Sequence, residues 1–242
     1  MEYHAKTHLR FAVALLALYA VIWVALAWRP WFRDAWLLEN ILVFVCVPWL
    51  LWSYRRLPLS KMSYLMLFTF LCLHAVGSHY TYALVPYDQW WTALFGKELS
   101  ALLGWERNHY DRLVHFCYGL LLVYPVREMF LRVADAKGVW GYLFPLLVVM
   151  SSSTLFELFE WLAAVLFGGD LGMAYLGTQG DVWDSHKDSL LATLGALLTT
   201  VVVGIIHKRL DRDFSREWNA SLTTKQAEPL GEVAIDRLLQ RD

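Results

Sequence analysis

Six long apolar runs constrain this chain more than any other feature. They lie at Phe11–Trp28, Ala35–Tyr54, Met62–Tyr80, Leu113–Leu131, Leu143–Phe167 and Ser189–His207. A helix needs about 20 residues to cross a hydrocarbon core of about 30 Å. No water reaches backbone N–H and C=O groups there, so a spanning run must close its hydrogen bonds on itself. The expected fold class is therefore all-α, a polytopic integral membrane bundle of about six transmembrane helices. Composition agrees: 58% of the 242 residues are hydrophobic and 18% charged, too little polarity to coat a soluble domain.

The breaks between runs are physical ones. Trp28-Arg29-Pro30-Trp31-Phe32-Arg33 and Tyr54-Arg55-Arg56-Leu57-Pro58 are short charged turns with aromatic anchors, and Gly168-Gly169 stops a helix by chain entropy. Ala25-Leu26-Ala27 resembles a signal-peptidase site, but its apolar run is longer than the usual signal core of roughly 7–15 residues; the first segment reads as a retained helix. Residues 1–207 form the expected transmembrane domain, with 86–108 an outer interfacial segment. Trp90, Trp91, Leu94, Phe95, Leu99, Leu102, Leu103 and Trp105 there suit a helix lying at headgroup level. Residues 208–242 form a polar tail. Lys and Arg set the orientation. Twelve (Lys6, Arg10, Arg55, Arg56, Lys61, Arg127, Arg132, Lys137, Lys208, Arg209, Arg212, Arg216) fall on one side against six (Arg29, Arg33, Lys97, Arg107, Arg112, Lys187) on the other. Both termini and the tail are thus expected in the cytoplasm.

Net charge is −1, which excludes a basic footprint for nucleic acid. Cys46, Cys72 and Cys117 all sit in apolar runs without metal or disulfide spacing. The chemistry lies in acids and histidines on the membrane segments. A carboxylate at the centre of a spanning helix costs on the order of 2.5–3.5 kcal/mol. Asp111 and His115 share a helix face; Glu157 and Glu160 fall in the outer half of the fifth run. Asp181, Asp184 and Asp188 follow i, i+3, i+7 spacing if the sixth helix begins early, and His79 ends the third. Four segments deliver these groups to one depth. Six acids face Arg112 and Lys187 as the obvious bases, so the cluster shares protons or recruits a cation.

The expected catalytic set is Asp111, His115 and Glu160. His79, His115, Glu157, Asp181, Asp184 and Asp188 are the candidate ligands of a divalent metal. Histidine beside carboxylate suits Zn, Mn or Fe, and carboxylates alone suit Mg. Each residue also has a plainer reading. His79 beside Tyr80 can be interfacial, Glu157 and Glu160 can be helix–helix glue, and Asp181 and Asp184 can be loop acids or helix caps. His74 and His186 read as ordinary residues, as do His4, His8 and His109. On the sixth helix Asp188, Ala192, Gly195 and Thr199 form a small-residue stripe, matched by Cys117 and Gly119 on the fourth, that lets helices approach closely. The stripe leaves oligomeric state open.

H-Y-T-Y at 79–82, D-R-L-V-H-F-C-Y-G-L-L-L-V-Y-P-V-R-E at 111–128, E-L-F-E-W at 157–161 and L-G-T-Q-G-D-V-W-D at 176–184 resemble the YjdF-like family of bacterial inner-membrane proteins. That resemblance implies a location and no particular reaction. Asp111, His115, Glu157 and Asp188 also resemble the acid–histidine pattern of VanZ-like membrane proteins, with Glu160 where Gln is usual and Ala192 where Asn is. This second likeness implies lipid or cell-wall substrates. Two function classes follow. One is a metal- or acid/base-dependent enzyme on a lipid-linked envelope substrate, with membrane lipid as its partner and Asp111 orienting His115. The other is a proton- or ion-coupled transporter, disfavoured because no inverted repeat or paired broken helices are visible. A structural membrane protein is the third.

Overall fold

The structure, a computed structural model, describes residues 2–169, 178–210, 213–225 and 230–240. Leu176 and Gly177 of the fourth motif and Arg212 lie outside these. Helices long and apolar enough to cross a membrane are α1 (Glu2–Ala27), α2 (Arg33–Ser53), α3 (Lys61–Tyr80), α6 (Tyr110–Val133), α7 (Trp140–Phe167) and α8 (Asp184–Leu210). All six expected segments are present. Two short helices, α4 (Tyr87–Phe95) and α5 (Leu99–Leu103), join α3 to α6. The expected single interfacial helix is thus two, because Gly96 and Gly104 take left-handed conformations (φ 77° and 68°) and cap each piece. Beyond α8, α9 (Phe214–Ser221) and α10 (Leu230–Leu239) are short and largely exposed.

Two three-helix groups share α3 and α6 as their seam. Tyr19, Val43 and Ala75 pack α1, α2 and α3 together, and Val123, Val149 and Ala196 pack α6, α7 and α8. The tightest contact is α6 on α8. A methyl group on Gly119 would collide with the Ala192 carbonyl oxygen, and one on Gly195 with that of Phe116. Thr199 Oγ1 donates across the seam to Leu120 O at 2.6 Å. The small-residue stripe therefore serves packing within the chain, where backbone proximity replaces a hydrophobic driving force that lipid does not supply.

Helix starts move outward relative to the apolar runs. α6 begins at Tyr110 and α8 at Asp184, each about one turn early, because polar residues there find partners. Asp181 Oδ1 accepts from Trp183 N at 3.1 Å in the turn before α8. Asp184 and Asp188 then share a helix face four apart, while Asp181 stays in the turn.

Candidate functional site

The end of the bundle carrying α4 and α5 has two polar layers. The upper layer joins the loop before α6 to the loop before α8. Asn108 N donates to Gln179 Oε1 at 3.0 Å, and Gln179 Nε2 donates back to Asn108 O at 3.1 Å. Arg107 grips Asp184 with both terminal nitrogens, at 2.7 and 3.0 Å. Arg112 Nη2 reaches Asp181 at 2.5 Å and Asp184 at 3.1 Å, and Lys187 Nζ reaches Asp181 at 2.5 Å. The Lys187 ammonium, then the Trp183 N–H and the Arg112 guanidinium, hold the Asp181 carboxyl down at about 2. Asp181 and Asp184 are saturated with cations and form a roof.

The lower layer differs. His115 Nε2 stands 3.5 Å from Asp111 Oδ1 and 3.4 Å from Glu157 Oε1. Asp111, His115 and Asp188 each offer a ligand atom within 4.8 Å of the others. Asp188 and Glu157 are buried, yet Asp188 Oδ1 and Glu157 Oε1 have no hydrogen-bond partner. The 3.4–3.5 Å gaps exceed an ordinary N–H···O bond. They match the edge of a tetrahedron whose ligands lie about 2.1 Å from a metal, roughly 3.4 Å. The residues thus fit a cation, with Asp111, His115 and Asp188 as its nearest donors and Glu157 beside them.

Glu160 lies on the same side of α7 and lines a cavity of about 360 Å³, within the usual size of ligand sites. Asp111 and His115 line it too, as do His74 and Tyr82. Below them the walls turn apolar. α2 contributes Leu42, Val43 and Cys46; α3 gives Phe70 and Leu71; α6 gives Val114 and Leu122; α7 gives Leu155, Phe156 and Phe159. α2 packs on α3, and α7 packs on α6 and α8, so the cavity lies in a cleft between α2 and α7.

His79 stands apart from the cluster. Its Nδ1 donates to Leu26 O at 2.6 Å and its carbonyl accepts from Trp31 N at 3.0 Å, tying α3 to the α1–α2 turn. The other seven expected residues gather at one end, two layers deep. Sequence reasoning passed over Glu39 and took His74 for an ordinary residue. Both are buried, and Glu39 Oε2 is without a partner. Glu39 is close enough to Asp111 and Glu160 for their charges to act on one another. The available signal was an acid fewer than two turns into an apolar helix.

Tyr82 reaches this layer through an unusual backbone. Thr81 and Tyr82 both have positive φ (59° and 39°), folding the chain back so that Tyr82 N bonds Gly77 O at 2.8 Å. The Tyr82 ring lies on Gly77, where a Cβ would sit 2.6 Å from it. Only glycine leaves that space. Tyr82 Oη then meets His74 Nδ1 at 2.5 Å. Burial pushes the Tyr82 phenol well above its ordinary range, so it stays protonated.

An all-helical bundle with a carboxylate–histidine chamber under an ion-paired roof defines the class: a multi-pass membrane protein with a polar site inside its span. The family described as "Predicted membrane protein (DUF2238)" matches residues 11–209, and the chain belongs to that family. Inner membrane protein YjdF of Escherichia coli (strain K12) is 37% identical over 180 residues, 74% of this chain and 82% of that protein. The YjdF-like resemblance is thereby shown, and the chain is a multi-pass inner-membrane protein. The VanZ-like likeness gains no support from these comparisons. No solved structure matches.

Proposed function

We propose that the protein is a membrane-embedded enzyme that carries out metal-assisted hydrolysis or group transfer on a lipid-linked envelope substrate. The observation that carries this reading is the position of His115: its Nε2 stands 3.4–3.5 Å from two carboxylates at the polar end of a largely apolar cavity. Asp111, His115 and Asp188 hold a divalent cation, with Zn, Mn or Fe favoured over Mg because imidazole suits the softer ions. Bound there, such a cation would supply Lewis acidity toward a substrate oxygen and a water. Glu157 closes the ligand set from α7. Glu160 faces the cavity and moves the proton released or consumed there. The substrate's chain lies along the apolar walls and enters from the bilayer between α2 and α7. The majority of Lys and Arg at the opposite end supports an orientation with both termini in the cytoplasm and the site in the outer half.

Elemental analysis of the purified protein tests this directly, with wild type beside His115→Ala and Asp188→Ala. Near-stoichiometric metal in wild type, lost in both folded variants, is expected. A folded, monodisperse wild type that holds no Zn, Mn or Fe sinks the metal centre. Comparing lipid extracts of cells expressing wild type or His115→Ala then tests turnover. A lipid species that accumulates only with the variant is expected, and identical profiles speak against an enzyme.

A further inference from the structure

The polar end of the cavity can accept hydrogen bonds but has little to donate. In a neutral His74 ring, Nε2–H donates to the Glu39 carbonyl at 3.2 Å. Nδ1 must then accept, so the single proton of Tyr82 goes to it. Lower down, Ser152 Oγ donates to Val148 O at 2.7 Å, which leaves Tyr118 to donate to Ser152 at 2.6 Å. Both tyrosine protons are spent inside the wall. What faces the space is the Tyr82 lone pairs, the His115 ring and the carboxyl groups of Asp111 and Glu160, with the unpartnered Oε2 of Glu39 close by. Ser153 keeps an uncommitted hydroxyl, but it sits two turns of α7 below Glu160.

Charge points the same way. Among the described residues no Lys or Arg lines the cavity, because Arg107 and Arg112 are held above it by Asp181 and Asp184. One divalent ion leaves the buried Glu39, Glu157 and Asp188 and the half-buried Asp111 and Glu160 with a formal negative excess. An anionic head such as a phosphate would meet the carboxyl groups of Asp111 and Glu160, while Arg107 and Arg112 stay paired in the roof. Phe70, Phe156, Phe159, Tyr82 and Tyr118 add aromatic faces to the wall. Aromatic faces beside carboxylates attract organic cations.

We propose that the cavity binds an amphiphile with a cationic, ammonium-type head, seated among Asp111, Glu160 and Tyr82, its chain directed toward the cleft between α2 and α7. This rests on the reading of the cavity as an amphiphile site and adds the sign of the head's charge. The ammonium protons satisfy acceptors that the fold leaves open. The chain replaces lipid against Leu42, Cys46, Leu155 and Phe159.

Photocrosslinking of the full-length protein in lipid nanodiscs tests it. Three dodecyl probes carry the same diazirine and differ only in the head: ammonium, phosphate or hydroxyl. Peptide mass spectrometry reads labelling at residues 42–46 and 152–160. The ammonium probe is expected to label these segments about tenfold more than the phosphate probe, as for loss of one charge-assisted contact. In the Glu39→Gln, Glu160→Gln double variant its labelling falls to the level of the hydroxyl probe, whose own labelling stays unchanged and reports an intact cavity. Equal labelling by the phosphate probe, or ammonium labelling untouched by the double variant, overturns the proposal. If the variant fails to fold, competition on wild type decides. Unlabelled dodecylammonium displacing the probe where dodecyl phosphate does not supports the cationic head, and the reverse overturns it. Butylammonium competing as well as dodecylammonium would make the ligand a free amine and overturn the amphiphile. Metal content measured on the same preparations reports the metal centre separately, so either reading can fail alone.

Discussion

The roof and the chamber beneath it are built from the same residue type on the same helix, yet they are opposites. Asp184 and Asp188 are four apart on α8, and both are buried. Asp184 takes hydrogen bonds from two arginines at 2.7, 3.0 and 3.1 Å. Asp188 keeps an oxygen with no partner and shares its surroundings with Asp111, His115 and Glu157. One turn of helix separates a carboxylate that stabilises the fold from one the fold leaves unsatisfied. A buried acid that is fully paired is structural. A buried acid held open beside others costs stability unless something binds it.

The comparison predicts opposite responses to similar substitutions. Asp184→Ala strands Arg107, partly buried, without its principal acceptor and leaves Arg112 with Asp181 alone. Removing one partner of a buried pair costs about 3–5 kcal/mol, and a large drop in melting temperature is expected. Asp188→Asn should raise the melting temperature of the metal-free protein, since it removes a buried negative charge from beside Asp111 and Glu157. The same substitution should abolish the stabilisation that added Zn or Mn confers on wild type. A destabilised metal-free Asp188→Asn would mean that this oxygen is satisfied after all, and the contrast would collapse.

Gly119→Ala probes what holds the layers in register. The methyl group meets the Ala192 carbonyl, so α6 and α8 must separate. A loss of about 1–3 kcal/mol is expected, with metal affinity reduced alongside, because Asp111 and His115 ride on α6 while Asp188 rides on α8. Unchanged metal affinity would show that the ligand set tolerates a shifted seam. The smallest effect belongs to Lys187→Met, which removes an exposed cation from Asp181. Because the folded value of Asp181 is depressed, its contribution is present above the ordinary carboxylate value of about 4. It is lost as pH falls toward about 2. Melting curves against pH should show that loss move to higher pH in Lys187→Met, with little change at pH 7.

Much of this architecture was legible before any coordinates. Helices, their number and the depth of each acid follow from run lengths and position within a run, because lipid permits only self-bonded segments of fixed length. Asp111 with His115, and Asp184 with Asp188, share faces by helical period alone. The differences between the expected and the observed surroundings have a common cause. Asp181 and Asp184 entered the ligand list because an acid read from sequence carries no record of its partners. Arg107, 77 residues earlier in the chain, takes Asp184 through space. His79 entered by depth, but its ring turns to the Leu26 carbonyl. Glu39 was missed because its neighbours Asp111 and Glu160 belong to other helices.

The sequence by itself determined that this chain is a helical membrane bundle and that its acids share one depth, since both depend only on distance along a helix. Which acids are neutralised and which left open was decided by tertiary structure. That depends on how each helix is rotated and which neighbour it meets. Here the backbone contact of Gly119 with Ala192 brings α6 onto α8, and the loop of Arg107 and Asn108 is pinned over Thr178 and Gln179. Rotation and neighbour choice come from packing across the bundle, which no single segment encodes.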